Sequence, residues 1–76
     1  MRLLSRPKDY TYQEAKTLLS RFGFNESNKG KTSGSRVKFE RGDGKFILLH
    51  KPHPGDVMSS GNVEDLINFL RKLGEI

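Results

Sequence analysis

The chain contains no cysteine, which excludes a disulfide framework, a thiolate metal site and a cysteine nucleophile. Apolar residues are scarce, at 33% of 76 positions, so there is room for one small core and each large apolar side chain counts. No apolar run approaches the roughly 20 residues of a membrane-spanning helix. The longest is Phe46-Ile47-Leu48-Leu49. The opening Met1-Arg2-Leu3-Leu4-Ser5-Arg6-Pro7-Lys8 lacks the apolar core of a signal peptide. A soluble, cytoplasmic protein with no membrane partner is expected. Acid is in short supply as well: nine Asp and Glu stand against fourteen Lys and Arg, a net charge of +5. A basic domain attracts polyanions, because neutralised phosphates release condensed counterions. From Lys29 to Arg41 the only acid is Glu40, against Lys29, Lys31, Arg36, Lys38 and Arg41.

What is present reads as an arm, residues 1–9, and a single domain, residues 10–76. Thr11-Tyr12-Gln13-Glu14 has the form of a capping box and predicts a helix start. Tyr12, Ala15, Leu18, Leu19 and Phe22 then recur at helical spacing. Gly23 is placed to end the helix in the left-handed conformation, with Phe24 folding back. Residues 24–27 predict a short strand, and 28–34 a polar loop. Residues 35–41 alternate, with Val37 and Phe39 on one face and Arg36, Lys38 and Glu40 on the other. Gly42-Asp43-Gly44 is a hairpin turn, and 45–50 the returning strand. Lys51-Pro52-His53-Pro54-Gly55 cannot be ladder interior, since two prolines withhold donors. A second helix is expected from Asn62 as its cap, with Val63, Leu66, Ile67, Leu70 and Leu73 as its apolar stripe and Phe69 at the flank. Glu64 and Asp65 at its start and Arg71 and Lys72 near its end suit the helix dipole, and Gly74 stops it. The order α-β-β-β-α predicts an α+β fold, a three-stranded antiparallel sheet with two helices on one face.

Two motif-like stretches carry less than they suggest. Gly30-Lys31-Thr32 is not a phosphate-binding loop: Asn25 stands where the first glycine belongs, and a strand pattern follows instead of a helix. Arg41-Gly42-Asp43 is turn chemistry. The histidines are more informative. His50 and His53 are the only side chains whose ordinary titration range spans neutrality, which suits general acid–base work. They do not make a metal site, having no third ligand nearby. Register decides where His50 points. A three-residue loop with Gly44 left-handed sets Arg36 opposite His50, so Arg36, Lys38 and His50 share an open face. A two-residue loop would turn His50 toward Val37 and Phe39. The three-residue loop builds a cation–imidazole surface able to take a phosphodiester.

The ordered set of a capping-box helix, "GKTSGSRVKF", a short hairpin, "LLHKPHPG" and a terminal amphipathic helix resembles the HicA family over about residues 10–74. The resemblance implies a toxin that is an mRNA interferase, an endoribonuclease acting on mRNA and neutralised by a HicB-like antitoxin protein. It also implies a fold like that of double-stranded RNA-binding domains. Many members carry a catalytic histidine just after the Gly-Ser turn, but here Gly34-Ser35 is followed by Arg36. The His53 segment is similar to the family's other histidine. Two readings stay open: chemistry at His50 across from Arg36, or an RNA-binding module that does not cut. A third is a protein-interaction domain whose basic face docks an acidic partner. Arg36 is protonated at ordinary pH and would grip phosphate bidentately. The expected catalytic group is His50, His53 and Arg36, with Lys29, Lys31, Ser35, Arg36, Lys38 and Lys51 on RNA. Neither metal nor small-molecule cofactor is expected.

Overall fold

The first helix, α1 (Tyr12–Arg21), starts at the expected capping box. Thr11 Oγ1 accepts from the Glu14 backbone N–H at 3.0 Å, and Glu14 Oε1 accepts from the Thr11 N–H at 3.3 Å. It also ends as expected. Gly23 takes φ 88°, its N–H donates to the Ser20 carbonyl, and the Phe24 N–H donates to the Leu19 carbonyl. These two bonds close the orphan carbonyls of the last turn. The computed structural model describes residues 2–27, 36–52 and 55–76.

Three strands follow, β1 (Asn25–Ser27), β2 (Arg36–Glu40) and β3 (Phe46–His50), forming an antiparallel sheet in the order β1-β2-β3. The hairpin is the three-residue loop. Arg41 N–H donates to the Lys45 carbonyl at 2.9 Å, and Gly44 sits at φ 88°. Asp43 ties the turn down through Arg41 Nη2 at 2.8 Å and the Lys45 N–H at 3.1 Å. The Arg41 hydrogen bond, helped by the Lys45 N–H, holds the Asp43 carboxyl below the usual carboxylate range. The pairs that result are Arg36–His50, Val37–Leu49, Lys38–Leu48, Phe39–Ile47 and Glu40–Phe46.

The second helix corrects the expected start. Helix α2 runs Ser60–Lys72 with Ser59, not Asn62, as its cap: Ser59 Oγ accepts from the Asn62 N–H at 3.1 Å. Gly61 therefore lies inside the first turn, and Glu64 and Asp65 lie beyond it. Asn62 is buried, at 8% exposure, and serves a different purpose described below. The other end is as expected, with Gly74 at φ 79° donating to the Arg71 carbonyl.

Tyr12, Ala15 and Leu19 of α1 meet Val63, Leu66, Ile67 and Leu70 of α2 over Phe39, Ile47 and Leu49. These strand residues all lie on one face, so both helices cover the same side of the sheet. The α-β-β-β-α order and the α+β class stand as read from the sequence. Leu3, from a 3-10 turn at Arg2–Ser5, is fully buried in the same cluster.

One core group is badly served. The Tyr12 hydroxyl is buried with no hydrogen-bond partner among the described residues. Burial first, then the charges of Glu26 and Asp56, pushes its pKa up to about 12. Deleting an unpartnered buried hydroxyl removes a desolvation cost. Tyr12→Phe is therefore expected to keep or raise the melting temperature, by up to several degrees, in a calorimetric scan.

Candidate nucleic-acid interface

The face of the sheet away from the helices carries Asn25 and Ser27 from β1, Arg36, Lys38 and Glu40 from β2, and Phe46, Leu48 and His50 from β3. Arg36 and His50 are exposed and directly opposite each other across the β2–β3 pair. Directly opposed residues of an antiparallel pair have side chains within about 4.5–5.5 Å at Cβ. Guanidinium and imidazole thus start from adjoining positions on one wet surface. Lys38 is next along β2, its Nζ 4.7 Å from the centre of the Phe46 ring and 3.6 Å from Glu40.

The sequence-predicted residues separate here. Arg36, Lys38 and His50 come together on the open face. Lys51 does not join them: its Nζ lies 6.0 Å from the centre of the Tyr12 ring, whose own neighbour is Phe39 on the helix-covered side. Strand alternation accounts for this, since successive side chains leave opposite faces. Lys29, Lys31, Ser35 and His53 lie outside the described residues.

The position of His50 is fixed from behind by Asn62. Because Arg41 and Lys45 are a hydrogen-bonded pair, the peptide groups of Phe46, Leu48 and His50 point to the outer edge of β3. The His50 carbonyl would be left open there, but Asn62 Nδ2 donates to it at 2.9 Å. Asn62→Leu keeps the bulk and leaves that carbonyl without its donor. A loss of about 1–3 kcal/mol is expected in urea unfolding.

Two features of this face go beyond the predicted residues. Phe46 and Leu48 are exposed, at 51% and 38%. Their signal was available: in the run Phe46-Ile47-Leu48-Leu49 a period of two must turn alternate members outward. Asn62 had a signal too, in the Ser59-x-x-Asn62 spacing that makes Ser59 the cap and frees the amide.

A family model described as the HicA toxin of bacterial toxin–antitoxin systems matches residues 12–74. The chain belongs to the HicA toxin family. The matched span runs from the first residue of α1 past the end of α2 and takes in the whole open face. Comparison with curated proteins and with solved structures gives no match. HicA membership makes this chain a toxin of a toxin–antitoxin system and implies an antitoxin as its partner. Among the described residues no helix is long and apolar enough to cross a membrane.

Proposed function

We propose that this HicA-family toxin is a metal-independent endoribonuclease acting on mRNA, held in check by a HicB-like antitoxin. The observation that supports the reading is the β2–β3 register, which sets Arg36 opposite His50 on the uncovered face. In this reading His50 takes the proton from an RNA 2′-hydroxyl, and that oxygen attacks the adjacent phosphorus. The bond from phosphorus to the 5′-oxygen breaks, the departing oxygen takes a proton from water, and a cyclic phosphate remains. Arg36 and Lys38 stabilise the charge that grows on the non-bridging oxygens, and Arg36 does so in a fork that matches two of them. Because the chain's own cations carry that task, the reaction needs no metal.

Incubation of purified protein with single-stranded RNA in excess chelator tests this. Cleavage is expected, with cyclic phosphate and 5′-hydroxyl ends, and none when the 2′-hydroxyl at the cut position is replaced by hydrogen. Tight binding of RNA without cleavage would instead make the chain a non-catalytic RNA-binding module. Loss of cleavage on chelation would remove the metal-independent mechanism.

A further inference from the structure

Four large apolar side chains are exposed among the described residues: Leu4, Phe46, Leu48 and Val57. Two of them, Phe46 and Leu48, are successive outward positions of β3, so they form a patch and not scattered singles. Beside Phe46 is a hollow of about 420 Å³ lined by Gly44, Lys45, Phe46, Phe69, Lys72 and Leu73. Phe69 is braced by Phe24, edge to face at 5.4 Å between centroids. The hollow thus has two aromatic walls and two ammonium groups. Several cations of the molecule are held in ion pairs, and among the described residues those two ammoniums are not. Arg2 pairs with Asp9, Arg6 with Glu64, Lys16 with Glu26, and Arg41 with Asp43 and Glu75. Among the described residues no carboxylate pairs with Lys45 or Lys72.

We propose that this hollow is a base subsite: it takes one unpaired RNA base against Phe46, with Lys45 and Lys72 on the neighbouring phosphates. The proposal rests on the open face being an RNA-binding surface and names the class of RNA it takes. Aromatic side chains interleaved with cations are what a single strand requires, since every base offers a π-face and every link a phosphate. A base inside a duplex is already stacked on both sides and cannot enter. The volume is in the range of small-ligand sites. A protein partner would need an apolar side chain and separate carboxylates spaced to match both lysines, whereas one step of an RNA strand offers a base and its flanking phosphates together. Phe46 is a binding residue and not a catalytic one. It lies on the same face as His50, four residues away, or roughly 13 Å along the strand. The base it holds belongs to a nucleotide near the cut bond.

The test uses a short 2′-O-methyl RNA carrying 2-aminopurine, which has no 2′-hydroxyl to lose and whose fluorescence is quenched on stacking. Wild type should quench it. Phe46→Ala and Phe46→Leu should abolish the quenching and weaken binding by about tenfold or more, and Phe46→Tyr should restore both. Replacing Lys45 and Lys72 by Gln should flatten the dependence of log affinity on log salt by about 0.7 per lysine. Equal quenching and affinity in wild type and both apolar variants, with ordinary RNA still cut, would overturn the subsite and leave the endoribonuclease reading standing. A wild type that neither binds the oligomer nor cuts RNA would remove that reading and the subsite with it.

Discussion

His50→Ala is expected to lower RNA cleavage by about 10²–10⁴-fold while leaving RNA affinity within a few-fold of wild type. The asymmetry follows from what the side chain can do. Imidazole moves a proton, whereas attraction of the phosphates comes from the cations around it. Folding should be almost untouched, because the His50 side chain is exposed and its carbonyl, held by Asn62, is still present in the alanine variant. Single-turnover cleavage and a binding titration on a 2′-O-methyl substrate separate the two quantities. Arg36→Lys offers a contrast. It keeps the charge and loses the fork, so its damage should appear in the turnover rate more than in affinity. Cleavage unchanged in His50→Ala would transfer the proton to another group, with His53 the remaining histidine.

The residues that made the fold legible are those whose local chemistry admits one solution. The Thr11–Glu14 capping box and Gly23 bounded α1, whereas Asp43-Gly44 admitted a loop of two residues or of three, and the left-handed Gly44 with the Arg41–Lys45 bond makes it three. From that loop alone the pairing of Arg36 with His50 followed, since each residue added to a hairpin turn reverses the facing of the whole strand. The sequence places the start of α2 at Asn62 because Asn is itself a good cap and Gly61 resembles loop, whereas the helix begins at Ser60. Ser59 won because its hydroxyl reaches the Asn62 N–H, leaving the Asn62 amide to bind the His50 carbonyl in space. No pattern along the chain announces a contact between residues 50 and 62. Phe46 and Leu48 follow from the hairpin register: with Ile47 and Leu49 on the helix-covered face, alternation turns their neighbours outward. Lys51 sits next to His50 in sequence and on the other side of the sheet in space, a matter of alternation that composition does not express.

Leu3→Ala is expected to destabilise the protein by about 2–5 kcal/mol. For a chain of 76 residues the total is roughly 4–11 kcal/mol, taking about 0.05–0.15 per residue. Such a loss would leave a folded state that fails well below its original melting temperature. Leu3 lies in a segment outside the HicA match, which begins at residue 12, and one that the sequence marks as an arm. Two kinds of contact hold that segment. Arg6, at φ 52° and so in the left-handed region that ordinary residues avoid, forks onto Glu64 of α2 at 2.7 and 3.3 Å. Both partners are about half exposed, and such pairs contribute at most about 1 kcal/mol. Leu3 has no exposed surface at all, and its truncation opens a cavity in a core with little else to close it. The adjacent Leu4, 37% exposed, is the internal control. In urea unfolding, Leu3→Ala should shift the midpoint strongly and Leu4→Ala hardly at all. Equal shifts would mean that the arm lies on the domain without completing its core.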